Sequence, residues 1–253
     1  MGEFLIESHV DLLKEIIEAL CSGETPEALM AQFEQDCDGI SQEELLALFK
    51  QLDKQQTDFR NCDRVIDYFE NVVQEKMALA KLRPFPMGHP VRVYLEENIL
   101  LRSWIKAISQ FEPTQQLESF AEIFRNLCTV ELHYQRKENQ LFPCLEKNGW
   151  DSPSKNMWAF HDENRAMLKE VRQAIEQGDA VLVKQKAPYL FSELDRMMQI
   201  EEQRLLPNAM ELLDEEDWLD MRTGDQEIGW MLESEPAPFP VTSDAEVDEE
   251  EPE

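Results

Sequence analysis

His133-Tyr134-Gln135-Arg136-Lys137-Glu138-Asn139-Gln140-Leu141-Phe142-Pro143 is the stretch whose reading decides the fold. It sets a histidine and a carboxylate a little over one turn apart near the end of an apolar helix. The Leu-Phe-Pro step is expected to close that helix, because proline disfavours helical backbone in the residue before it. A second version follows at Met197-Met198-Gln199-Ile200-Glu201-Glu202-Gln203-Arg204-Leu205-Leu206-Pro207, in which Glu202 matches Glu138 and Pro207 matches Pro143 at an offset of 64 residues. Glu97-Asn98 and Glu163-Asn164 repeat in the same way at an offset of 66. Two related helical hairpins in the order first-second-first-second predict an all-α protein built on an up-down four-helix bundle, an architecture that places metal ligands on facing helices.

The rest of the chain is read outward from that bundle. Apolar residues at Val10, Leu13, Ile16, Ile17 and Leu20 have helical spacing. Thr25-Pro26 predicts a second helix start, and Ser41-Gln42-Glu43-Glu44 is a capping box for a third. A fourth helix is expected from about Thr57 to Leu82. Pro84-Phe85-Pro86-Met87-Gly88-His89-Pro90 cannot continue a helix. The expected division is therefore an N-terminal helical domain at 1–83, a linker at 84–90, a bundle at 91–232 and a disordered acidic tail at 233–253. The long fourth helix of the bundle carries Pro188, where a break is expected.

Composition narrows the function classes. With 24 basic and 53 acidic residues among 253, the net charge is −29. Such a chain lacks the clustered Lys and Arg that nucleic acid requires, and an anionic membrane would repel it. No apolar run approaches the ~20 residues of a membrane span, and the N-terminus has no signal-peptide pattern. Cys21, Cys37, Cys62, Cys128 and Cys144 are scattered, odd in number and without a CxxC pair. They read as reduced thiols, and the chain as a cytoplasmic one.

His133, Glu138 and the Leu-Phe-Pro step, together with His161-Asp162-Glu163-Asn164-Arg165, resemble the hemerythrin-like HHE cation-binding domains. Gly88-His89-Pro90-Val91 before Glu97-Asn98, with Glu227-Ile228-Gly229-Trp230 at the far end, is similar to an uncharacterised prokaryotic family in which a small N-terminal helical domain of unknown function precedes that bundle. The resemblance implies a non-haem di-iron centre held by five histidines and two bridging carboxylates. This sequence has four histidines in all; Met197 and Leu95 stand where two others are expected.

The candidate metal ligands are His89, His133, Glu138, His161 and Glu202. His161 lies on the apolar stripe Met157, Asn164, Leu168, Val171; the alternative is a core histidine hydrogen-bonded to a neighbour. His133 and Glu138 are five residues apart, ~140° of rotation and ~7.5 Å of rise on a regular helix, so one ion could take both only across a bulge. His89 alternatively caps a helix. Glu202 is preferred to Glu201 by symmetry with Glu138. Glu163 points ~200° away from His161, and it is set aside together with Glu97. Lys137 offers another outcome, satisfying a buried carboxylate in a salt-bridged site without metal.

Two or three histidines with two glutamates suit iron, zinc or manganese alike, and the resemblance implies non-haem iron. The leading expectation is a metal-binding, hemerythrin-like protein that senses or handles iron, oxygen or nitric oxide. A metal-free helical scaffold, binding a protein partner through its N-terminal helices, is the alternative. A di-iron oxidase is the third. No nucleophile-base pair or phosphate loop points to an enzyme.

Overall fold

The structure is a computed structural model that describes residues 3–55 and 57–239, with side chains from residue 9 onward. The regular secondary structure of the described residues is all helical, without a strand. The chain forms two compact units, Met1–Pro84 and Phe85–Glu253.

In the first unit, α1 (Glu3–Ser22), α2 (Glu27–Asp36) and α3 (Gln42–Lys54) are followed by α4 (63–80). Their apolar faces enclose one core, with Leu13, Ile16 and Ile17 of α1 against Phe33, Leu48, Leu52 and Val65. The capping box read at Ser41 is present: Ser41 N–H donates to Glu44 Oε2, and Glu44 N–H donates to Ser41 Oγ at 3.2 Å. The expected fourth helix starts later than Thr57. Cys62 is its N-cap, and Phe59, buried outside any helix, stacks on Phe49 at 5.1 Å. That packing fixes residues 57–62 as a loop.

In the second unit, α5 (Pro90–Ile108), α6 (Pro113–Leu127), α7 (130–147), α8 (Ser152–Glu176) and α9 (180–212) form the bundle, and α10 (Glu215–Ile228) packs against α5 and α7. Helices α6 and α7 are separated by a turn at Cys128-Thr129, where Thr129 Oγ1 donates to the Asn126 carbonyl. Such a side-chain bond competes with the backbone ladder. Pro188, by contrast, does not break α9. It sits on the exposed side of the continuous segment Ala180–Ile200, so the freed carbonyl four residues back can reach water.

The repeat is visible as two π-bulges, Lys137–Leu141 in α7 and Glu201–Leu205 in α9, again 64 residues apart. Each precedes its proline, Pro143 or Pro207, by two residues. Proline has no N–H to give and its ring would strike the carbonyl four residues back. One widened turn relieves both conflicts without ending the helix.

Residues 233–239 run back along α10, where Arg222 Nη2 donates to the Pro236 carbonyl at 3.0 Å; residues 240–253 of the expected acidic tail lie outside the described residues. Gly88 has φ +76°, and a Cβ there would fall 2.0 Å from the Ala237 carbonyl oxygen. Gly88→Ala is therefore expected to destabilise the second unit by about 1–3 kcal/mol, read as a lowered urea midpoint. An unchanged midpoint would show that the 233–239 segment yields freely.

Candidate metal centre

Three helices bring ionisable groups to the middle of the bundle. Helix α5 turns Tyr94, Glu97, Asn98 and Leu101 inward, α9 turns Met197 and Glu201, and α7 buries His133, Tyr134, Arg136, Lys137, Glu138 and Leu141. A regular helix cannot bury Arg136, Lys137 and Glu138 on one narrow stripe; the widened turn that starts at Lys137 spreads that face.

His133 sits between two carboxylates, with Nδ1 2.7 Å from Glu97 Oε2 and Nε2 3.0 Å from Glu201 Oε2. Arg136 donates to the same Glu97 oxygen and Lys137 to Glu201 Oε1. The backbone N–H of Met231, beyond α10, donates to Glu97 Oε1 at 2.8 Å. All four charged side chains are essentially inaccessible to solvent. Two carboxylates and two cations cancel, so the cluster is neutral before His133 is considered.

Burial alone would raise Glu97 and Glu201, but it is outweighed. Arg136 and then His133 hold Glu97 below its ordinary range, and Lys137 and His133 do so for Glu201. Burial lowers Lys137, opposed by Glu201. Tyr94 closes one side of the cluster, its ring edge-on to His133 and beneath the Arg136 guanidinium.

A second cluster lies around His161. Its Nδ1 is 2.7 Å from Glu138 Oε1, and Arg165 grips both oxygens of Glu138 at 3.0 and 2.8 Å. The imidazole stacks on Tyr134 at 4.0 Å, whose hydroxyl accepts from Asn164. Burial pushes the imidazole down to about 4, so at neutral pH it is uncharged. With Nδ1–H donating to the carboxylate, the lone pair falls on Nε2, a buried atom with no hydrogen-bond partner.

The five residues marked from the sequence are thus not gathered at one point. His133 joins Glu97 and Glu201, while Glu138 joins His161 and Arg165. Glu202 accepts from Arg102 Nη1 at 2.5 Å and Asn98 Nδ2 at 3.3 Å. It is Glu201, passed over for Glu202, that faces His133: in a widened turn the inward position moves by one residue. Glu163, the partner of Glu97 in the repeat, is exposed as its place on the helix predicts. Glu97 is nevertheless buried, because α10 and Met231 cover α5 on the side where α8 meets water. His89 is the N-cap of α5, its Nδ1 accepting from Val91 N–H at 3.1 Å, with its ring among Phe85, Trp218 and Phe239. Burial holds it down to about 4.

Asp225 of α10 extends the first cluster, 3.9 Å from Arg136 Nη1 and with neither oxygen hydrogen-bonded. Desolvation raises it to about 6, against the attraction of Arg136. A carboxyl raised in the folded state contributes its stability below the unfolded value of 3.8 and loses it as pH rises through about 6. Asp225→Asn should therefore stabilise the protein by about 3 kcal/mol at pH 8 and by almost nothing at pH 4, followed by urea unfolding. The same gain at both pH values would contradict this account of Asp225.

Residues 89–209 match the family described as the hemerythrin HHE cation binding domain. No curated protein matches the chain significantly. Domains of that family hold metal ions, typically iron, and the fit of such a centre to these residues can be judged from the donors. Both nitrogens of His133 face carboxylates, and the oxygens of Glu97 and Glu201 are taken by Arg136, Lys137 and a backbone N–H. Among the described residues no three His, Cys, Asp or Glu side chains are grouped to hold an ion. Two fixed cations stand against the carboxylates that a metal pair would need, and the donor set does not fit a di-iron centre.

Proposed function

We propose that the hemerythrin-like domain at 89–209 is a metal-independent module in which Arg136 and Lys137 take the place of metal ions, and that the protein is a cytoplasmic helical scaffold for another protein. The observation that carries this reading is the pairing of Lys137 with Glu201 and Arg136 with Glu97 on the same two carboxylates that flank His133. Inserting a cation would require ejecting one already there, with the loss of a fully buried ion pair.

The N-terminal unit is the surface assigned to the partner. It has its own core, yet Leu46 of α3 and Ile66 of α4 are among its exposed large apolar side chains. A net charge of −29 selects for a basic partner. Two measurements test the reading. Iron(II), zinc or manganese should leave the thermal midpoint unchanged, whereas a ligand bound by the native state raises it with concentration. A specific partner should be released by Leu46→Asp or Ile66→Asp. A saturable rise with any one metal would defeat the scaffold reading.

One atom supports a narrower alternative. His161 Nε2 is buried, unprotonated and unpartnered, the ligating form of an imidazole. A degenerate iron site that senses iron, oxygen or nitric oxide would rest on it, with Glu138 turned from Arg165. Metal binding abolished by His161→Ala and kept in His9→Ala would identify that site.

A further inference from the structure

The N-terminal unit brings together two sulfurs that lie 41 residues apart in the chain. Cys21 lies in the last turn of α1, and Cys62 is the N-cap of α4. The Cys62 sulfur is near enough to Cys21 to help push its thiol up. Cys62 Sγ also lies 3.7 Å from the carbonyl oxygen of Leu20, next to Cys21 in the chain. Both cysteines are half-buried at the edge of the core, so a small oxidant can reach them. Cys62 makes no side-chain cap bond. Of the other three thiols, Cys37 is buried and bonded to the Gly39 carbonyl, and Cys128 and Cys144 belong to the other unit.

We propose that Cys21 and Cys62 form a peroxide-oxidisable dithiol that closes to a disulfide, tying the end of α1 to the start of α4. One thiolate attacks a peroxide oxygen, the O–O bond breaks, and a sulfenic acid results while the departing hydroxide takes up a proton and leaves as water. The second thiolate attacks that sulfur, the S–O bond breaks, and hydroxide leaves as a second water on taking up a proton. Two thiols and one hydrogen peroxide become one disulfide and two waters, and exchange with an external dithiol reverses the change.

The surroundings set the speed. Burial, the neighbouring sulfur and the carboxylates of Asp58 and Glu18 push Cys21 up to about 11. Thiolate at Cys21 is therefore scarce at neutral pH, so attack by Cys21 answers sustained oxidation and not a brief pulse. Once closed, the link spans about 40 residues, including all of α2 and α3, and removes that freedom from the unfolded chain.

The test uses the full chain in its folded state, exposed to hydrogen peroxide at pH 7 and pH 9. Free thiols are then alkylated under denaturing conditions and the chain is cut at glutamates, which separates Cys21 from Cys37. The expected product joins Cys21 to Cys62, forms at least about tenfold faster at pH 9, disappears on treatment with dithiothreitol and raises the thermal midpoint. In Cys21→Ser, Cys62 should instead be recovered as a sulfur acid or alkylated. Recovery of both cysteines of the unsubstituted protein as separate alkylated or over-oxidised residues would overturn the proposal. So would a disulfide joining Cys62 to any cysteine other than Cys21.

Discussion

Replacing Lys137 with alanine should destabilise the protein by about 3–5 kcal/mol, because it leaves the Glu201 carboxylate fully buried with His133 as its remaining side-chain partner. Urea unfolding at pH 7 measures the loss. The desolvation cost falls on the partner left behind and not on the pair as such. Lys137→Met combined with Glu201→Gln should accordingly recover most of it, since two neutral groups replace two charges. A loss under 1 kcal/mol in the single variant would mean that the ammonium lies outside the core, and the central cluster would need to be redrawn.

Arg136 carries the second large effect. Its guanidinium holds Glu97 and faces Asp225, so Arg136→Ala strands two carboxylates where the Lys137 change strands one. The expected loss is again about 3–5 kcal/mol at pH 8. The deficit should shrink on acidification. Without Arg136, burial would raise Glu97 as it already raises Asp225, and both would take up protons in the folded state before they do so unfolded. Unfolding at pH 8 and pH 5 therefore separates lost charge pairing from lost packing. Equal deficits at both values would attribute the effect to the cavity left by the side chain.

The bundle was legible in the sequence because its signals are local and repeated. The Leu-Phe-Pro and Leu-Leu-Pro steps, the offsets near 64 and the stripe around His161 each lie within one helix or one hairpin. Even the bulge invoked to reconcile His133 with Glu138 is present, though it brings inward Lys137 and Glu201 and does not unite that pair. The centre itself was harder to read. Helical phase is uncertain by one residue across a π-bulge, and one residue is the difference between Glu202 and Glu201. Glu97 owes its burial to α10 and Met231, more than a hundred residues away. Nothing local to Arg136 marks it as buried, since an arginine on an acidic chain reads as a surface residue until Glu97 and Asp225 are seen beside it. Lys137 was the one useful hint, a cation in the place where the repeat has a carboxylate.

The central claim is that fixed side-chain cations occupy the ground a metal pair would need. Iron stoichiometry tests it most directly. Protein purified without a histidine tag, incubated anaerobically with excess iron(II) and desalted, should retain far less than one equivalent of iron per chain. Retention of one or two equivalents of iron by the unsubstituted protein would contradict the account.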